Sequence, residues 1–341
     1  MEQAPVQARG RRRAPVVVVT GASAGIGRAT ALAFARRGWR VALLARGAAG
    51  LEGARRDVEA AGGSALAIPA DVADAAAVFT AADRVIDEWD TVDVWINNAM
   101  ATIFGPIEQV SPAEFERVTQ VTYLGAVHGT LAALRHMKAR DAGTIVQVGS
   151  ALAYRAIPLQ GPYCAAKFAL RGFTDSLRTE LIHDGSSVRL TMVQLPGVNT
   201  PQFGWSRTLL PHRHQPVGAV YQPEAAAAAI VRAALEAPRE LWVGMPAIKA
   251  IVGAMVIPGL LDRYLASSAY EAQMAPGPVE GDSEGILFSP AAHDHGARGQ
   301  YGKGAEAHAL PANPAVLRAG VALAAVGLAA GALFLARRSN S

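Results

Sequence analysis

Between Pro15 and Gly38 the chain reads strand, glycine-rich turn, helix, and few sequence units restrict a fold as tightly. Pro15-Val-Val-Val-Val-Thr20 is short, β-branched and non-alternating, as a strand buried on both faces must be. Gly21-Ala-Ser23-Ala-Gly25-Ile26-Gly27 follows, and Arg28–Arg37 supplies a helix that stops at Gly38. The glycines let another group approach the backbone. The helix N-terminus offers unpaired N–H groups and the positive end of its dipole. Strand, turn and helix in this order make a phosphate site.

The alternation continues along the chain. Strands are expected at 40–46, 64–69, 92–96, 144–148, 187–194 and 240–243, and helices at 50–61, 75–88, within 111–137, at 163–182 and at 223–237. Such alternation predicts an α/β fold, a doubly wound parallel sheet of about seven strands with helices on both faces. Ligands of these sheets bind at the carboxyl ends of the strands, where the glycine turn, Asn97, Ser150 and Pro196 all fall. At the end of the second strand an acidic residue would select NAD, but Ala45 and Arg46 stand there. With no carboxylate to repel a 2′-phosphate and a guanidinium able to bind one, NADP(H) is favoured over NAD(H).

The chemistry is expected between Ser150 and Lys167. A hydroxyl ends the apolar run Thr144–Gly149, Tyr163 comes thirteen residues later, and Lys167 four beyond that. Pro162 suits the first turn of a helix, which would put Tyr163 and Lys167 one turn apart on one face. A phenol titrates near ~10 in water, and a neighbouring cation lowers that value. Lys167 is such a cation, which makes Tyr163 a candidate general acid/base and Ser150 a candidate donor to a substrate oxygen.

Together these residues resemble the short-chain dehydrogenase/reductase family over roughly Pro15–Gly244. The resemblance rests on Thr20–Gly27, Asp71-Val72, Asn97-Asn98-Ala99, Ser150, Tyr163-x-x-x-Lys167 and Pro196-Gly197 through Thr200. It implies a Rossmann-type catalytic domain with Tyr163 as proton donor/acceptor and Ser150 as substrate-orienting hydroxyl. Lys167 would bind the nicotinamide ribose, and Asp71 and Val72 would contact the adenine region. Asn98 and Ala99 would lie along the cofactor, and Pro196, Gly197, Val198 and Thr200 would frame the nicotinamide. Two departures stand out: Met100 replaces a usual glycine, and Thr122 replaces an asparagine that holds a proton-relay water. The family habit is a homo-oligomer.

A single cysteine, Cys164, excludes an intramolecular disulfide and reads as a small buried residue. No metal-ligand cluster is expected, because His212, His214, His293 and His295 have no Cys or acidic partners at ligand spacing. The net charge is only +4, and Arg9, Arg11, Arg12 and Arg13 read as a solvated tail. Without an aromatic platform or a basic domain face, nucleic acid is a poor partner.

The chain divides into a basic tail (1–14), the catalytic domain (15–246), an apolar extension (247–274), a Gly/Pro/Ala/His-rich flexible linker (275–314) and a tail anchor (315–338). The extension reads as core or dimer packing, as a flap over an apolar pocket, or as a surface resting on lipid. Residues 319–336 carry no charged or polar side chain and are flanked by Arg318, Arg337 and Arg338. As a helix this run would reach about 27 Å, enough for a thin bilayer. The start does not read as a signal peptide, so the expectation is a single-pass anchor with the catalytic domain in the cytoplasm. The sequence predicts an NADP(H)-dependent oxidoreductase on an alcohol/carbonyl pair, with an apolar substrate and Phe203, Trp205 and Tyr221 as candidate substrate-loop residues. Its rivals are a nucleotide-binding membrane scaffold with weak turnover and an epimerase or dehydratase on the same fold.

Overall fold

The computed structural model describes residues 13–278 and 284–316. Val16–Thr20 (β1), Gly25–Ala35 (α1), Arg40–Ala45 (β2), Ala48–Ala60 (α2), Ser64–Pro69 (β3), Ala75–Trp89 (α3) and Val94–Asn97 (β4) form the first half. Ile103–Phe104 (β5), Pro112–Thr119 (α4), Gly125–Arg140 (α5), Thr144–Ser150 (β6), Gly161–His183 (α6) and Arg189–Leu195 (β7) continue it. Gln202–Trp205 (α7), Arg207–Thr208 (β8) and His212–His214 (β9) precede Pro223–Glu236 (α8) and Glu240–Val243 (β10). Gly244–Val256 (α9), Pro258–Ala272 (α10), Met274–Pro278 (β11) and Pro311–Ala312 (β12) follow.

The main sheet has eight strands in the order β12-β10-β7-β6-β4-β1-β2-β3. Every pair is parallel except β10–β12. The order reverses between β1 and β4, which opens a crevice at their carboxyl ends. One face of the sheet is covered by α1, α2 and α8 through Phe34, Leu51, Val58 and Ile230. The other is covered by α3, α5 and α6 through Val78, Val85, Ala132, Met137 and Leu181. The non-alternating strands are explained by this: β1 is buried at all five positions because both of its faces meet helices.

Helix starts follow local chemistry. Asp74 caps α3 by accepting from the Ala77 N–H (3.2 Å). Ser111 and Glu114 form a reciprocal capping box on α4, and Pro162 sits in the first turn of α6. Between α4 and α5 the backbone takes a π-helical turn at Gln120–Leu124.

The eighth strand departs from the sequence expectation. It comes from the stretch expected to be a flexible linker (275–314), where Pro311 and Ala312 pair antiparallel with Val243 and Trp242. Covering the edge of β10 satisfies its open backbone groups, and a proline is tolerated in such a short edge strand. The stretch shows no hydrophobic periodicity because its order comes from distant partners. Leu287, for example, is 2% exposed and joins the core beneath α3 and α5.

The apolar extension forms α9 and α10. Ala247 and Ile251 are buried, whereas Met245, Val252, Met255, Val256, Leu260 and Tyr264 remain exposed. Among the described residues no helix is long and apolar enough to cross a membrane. The run 319–336, expected to span one, lies outside the described residues.

Asn97 falls at the crevice but holds the core together. Its Oδ1 accepts from Trp95 Nε1 (2.9 Å), and its Nδ2 donates to Thr130 Oγ1 (2.9 Å) and Gln147 Oε1 (3.0 Å). Gly129 makes room for this cluster, because a Cβ there would overlap Asn97 Oδ1. Asn97→Ala strands a buried indole N–H and breaks a closed network, so chemical denaturation should show a loss of about 2–4 kcal/mol. A loss below about 0.5 kcal/mol would mean the network is not structural.

Candidate active site

The glycine turn is shaped by a bracket at the end of β1. The Thr20 hydroxyl donates to the Ile96 carbonyl (3.3 Å) and accepts from the N–H groups of Asn98 (2.9 Å) and Ala99 (3.0 Å). Asn98 answers by donating its side-chain amide to the carbonyls of Thr20 (2.9 Å) and Gly21 (3.4 Å). Gly21 has φ +65°, and a Cβ on it would stand 2.8 Å from Ala99 Cα. A Cβ on Gly27 would overlap the Gly21 carbonyl. Only glycine fits either position, and the bare backbone is what a pyrophosphate needs for close approach.

One cavity of about 400 Å³ brings together Gly21, Ser23, Gly25, Ile26, Arg46, Asp71, Val72, Asn98, Ala99, Ser150, Tyr163, Lys167, Pro196, Gly197, Val198 and Thr200. Gly27 alone of the expected catalytic and cofactor-binding residues does not line it; it lies beneath the turn, against Gly21 and Asn98. A glycine cradle at one end and a hydroxyl–phenol–amine set at the other fit a nicotinamide dinucleotide.

At the reactive end, β6 delivers Ser150 beside Leu195 of β7, so the loop Pro196–Thr200 starts level with it. Ser150 is 8% exposed, and its Oγ accepts from the Leu152 N–H (3.1 Å). Tyr163 comes from the first turn of α6, and its phenol faces the Ser150 hydroxyl. Lys167, one turn on, is 4% exposed, donates to the Val148 carbonyl (2.7 Å) and lies 5.6 Å from the Tyr163 ring centre. Burial raises the Tyr163 phenol well above its ordinary value, and the neighbouring Ser150 hydroxyl opposes this only in part. The same burial pulls Lys167 down to about 8. The sequence predicts a phenol lowered by Lys167. In the protein alone desolvation prevails, because both groups leave water together. Cys164 is buried at 3% exposure and its thiol is pushed up to about 11 by burial, so it is inert.

At the adenosine end, Asp71 accepts from Arg117 (2.5 Å) and from the Ala73 N–H (3.0 Å). Burial pushes this carboxyl up, but those bonds and the charges of Arg117 and Arg46 outweigh it and hold it ionised. Arg46 donates to the carbonyls of Ile286 (2.6 Å), Phe288 (3.1 Å) and Leu287 (3.4 Å). The C-terminal stretch therefore reaches the site, and Ile286, Leu287, Pro290, Ala291, His293 and His295 line the same cavity. The only sequence signal for this was the high glycine and histidine content near 285–304.

The apolar lining of the cavity includes Met100, Phe104, Leu152, Ile157, Phe203 and Ala250. Phe203 and Trp205 reach the cavity as expected, but Tyr221 does not. Tyr221 is 4% exposed and exchanges backbone hydrogen bonds with Gly197 (3.0 Å) and Asn199 (2.8 Å). Thr122 donates to the Ala101 carbonyl (2.8 Å) and accepts from the Ala101 N–H (2.9 Å), so its hydroxyl pins the loop after β4 to the π-helical turn.

Lys167 carries a stability cost that can be measured. With its pKa lowered from 10.5 to about 8, the penalty is fully present below pH 8 and is relieved as pH rises toward 10.5. Lys167→Met should stabilise the cofactor-free chain at pH 7 by up to about 3 kcal/mol, with the gain shrinking above pH 8. A destabilised variant at pH 7 in urea titration would contradict this.

Comparison with known proteins agrees with the geometry. A short chain dehydrogenase family model matches residues 15–208. The uncharacterized oxidoreductase YxnA of Bacillus subtilis is 32% identical over 82% of this chain and 80% of its own length. The putative oxidoreductase SadH of Mycobacterium tuberculosis is 33% identical over 74% of this chain and 94% of its own. An alcohol dehydrogenase from Thermococcus sibiricus, complexed with 5-hydroxy-NADP, superposes with a TM-score of 0.58 at 30% identity, over 67% of this chain and 96% of that one. A metagenomic short-chain oxidoreductase in complex with NADP gives 0.55 at 28% identity, over 64% and 90%. The chain is a member of the short-chain dehydrogenase/reductase family.

Proposed function

We propose that this oxidoreductase interconverts an alcohol and a ketone or aldehyde with NADP(H) in preference to NAD(H), on an apolar small molecule. The observation that carries the reading is the convergence of Ser150, Tyr163 and Lys167 on the cavity that also holds the glycine cradle. A bound nicotinamide supplies or accepts the hydride. Ser150 hydrogen-bonds the substrate oxygen and polarises it, and the Tyr163 hydroxyl gives that oxygen a proton or takes one from it. Lys167, anchored on the Val148 carbonyl, places its positive charge next to the phenol. Because burial keeps the phenol protonated through neutral pH, the protein alone is set to act as an acid, which suits carbonyl reduction.

Arg46 at the end of β2 supports the NADP(H) preference, and the NADP complexes of two structural relatives agree with it. Met100, Phe104, Leu152, Ile157 and Phe203 support an apolar substrate. Anchoring of the protein through residues 319–336, with the catalytic domain in the cytoplasm, rests on that uncharged run and accords with the exposed apolar side chains of α9 and α10. A homo-oligomer follows from family habit. A second reading, a nucleotide-binding scaffold with weak turnover, draws on Thr122, whose hydroxyl gives its one proton to the Ala101 carbonyl and has none for a relay water.

The test is NADPH oxidation across a panel of apolar ketones and aldehydes, with NADH alongside. Tyr163→Phe should cut turnover at least about a thousandfold while leaving NADPH binding intact. Full activity in that variant would refute the mechanism, and tight NADPH binding with no turnover of any panel member would favour the scaffold. The pH profile gives a second check. Lys167 loses its charge as pH passes about 8, so kcat/KM for reduction should be level from pH 6 to 7.5 and fall above pH 8. A profile flat through pH 10 would remove Lys167 from the mechanism.

A further inference from the structure

The C-terminal stretch crosses the coenzyme groove with firm ends and a polar middle. On its N-terminal side, the Ile286 N–H donates to the Trp205 carbonyl (2.9 Å) and Leu287 is buried in the core. Gly285 has φ +56° there, and a Cβ on it would overlap the Trp205 carbonyl. On its C-terminal side, the Gly299 N–H donates to the Asn199 carbonyl (3.2 Å) and the Tyr301 N–H to Asn199 Oδ1 (2.9 Å), before β12 joins the sheet. Between these anchors the contacts are polar, apart from the edge-on packing of the His295 ring against Trp205 (4.7 Å between ring centres). Asp294 pairs with Arg28 on α1, Nη2 to Oδ2 at 3.2 Å, and the Gly296 carbonyl accepts from the Gly25 N–H (3.1 Å) of the glycine turn. Gly53 on α2 leaves the space that the Asp294 carboxylate takes.

Two features decide what this crossing does. The cavity is lined by both the strap and the turn, and the turn N–H that the strap occupies, that of Gly25, must be released before a phosphate can take it. Arg28 is 6% exposed and also pairs with Asp57 (2.8 Å), so it keeps a partner when Asp294 departs. Opening the middle therefore leaves no buried charge alone, whereas opening either end would expose core.

We propose that residues 288–296 are a latch over the bound dinucleotide, fastened by the Arg28–Asp294 pair, and that coenzyme enters and leaves only when this latch opens. The proposal rests on the dinucleotide-binding reading above. Asp294 is a positioning residue in it: it holds the roof down and touches no reacting atom.

Stopped-flow NADPH release from the full chain tests this, by the fluorescence of the bound nicotinamide. Asp294→Ala should release NADPH about tenfold faster than wild type, as loss of one partner of a partly buried charge pair predicts. Asp294→Asn, which keeps the shape, should fall between them. Hydrogen exchange should show NADPH protecting the amides of 288–296 in wild type and much less so in Asp294→Ala, an effect a merely structural carboxylate would not produce. Unchanged release and unchanged protection would overturn the latch. Slower release or tighter binding in Asp294→Ala would also overturn it, since the strap would then compete with the dinucleotide. Wild-type protein that binds neither NADPH nor NADH would overturn the dinucleotide reading itself, and the latch with it.

Discussion

The Thr20 hydroxyl is the point on which the site depends. It joins the ends of β1 and β4 at the place where the strand order reverses, by one donated and two accepted hydrogen bonds. No backbone ladder can do this beyond the last paired residues, Val19 and Ile96. Once the two ends are tied, Ala99 stands against Gly21 and the turn has one available path. The Asn98 amide then satisfies carbonyls that the tight turn would leave unpaired inside the protein. The cradle is thus a consequence of polar satisfaction at a topological switch point, and the glycines are the residues that permit it.

The catalytic set depends on the same rigidity one strand further along. β4 pairs with β6 and β6 with β7, which puts Ser150 level with Leu195 and starts the Pro196–Thr200 loop beside it. Lys167 is held by a single carbonyl, that of Val148, within the same strand that ends in Ser150. A buried amine with its pKa drawn down to about 8 destabilises the protein that carries it. The proposed function accounts for its position, since the mechanism places its charge beside the phenol. Stability is given up where function is concentrated, and the helix-covered sheet supplies the excess that makes this tolerable.

What could be read from the sequence was what is local. The strand, turn and helix at 15–38 span neighbouring residues, and Tyr163 and Lys167 are related by one helical turn, so spacing alone brings them together. Composition did not distinguish Asn97, which anchors Trp95, Thr130 and Gln147, from Asn98, which shapes the turn. Tyr221 looked like a pocket aromatic, but its backbone pairing with Gly197 and Asn199 turns it into the core under Gly244. The strap was out of reach for a plainer reason. Its partners Arg28 and Arg46 lie more than two hundred residues earlier, and the complementary feature at Gly53 is an absent side chain.

Arg46 shows how that long-range contact alters a local argument. From sequence alone its guanidinium stands free to meet a 2′-phosphate. In the folded chain three of its five N–H donors meet the carbonyls of Ile286, Leu287 and Phe288, leaving two for a ligand. Those carbonyls fix a long, flexible side chain in one orientation, so less entropy is lost when an anion binds. They also bar the anion from the side they occupy, since carbonyl oxygens repel phosphate. Any 2′-phosphate must therefore approach from the opposite edge. On the proposed NADP(H) reading, coenzyme selectivity and the seating of the strap's first residues act through one side chain. A change at 286–288 that moved the carbonyls would alter which dinucleotide is preferred without touching the glycine turn, the catalytic set or Arg46 itself.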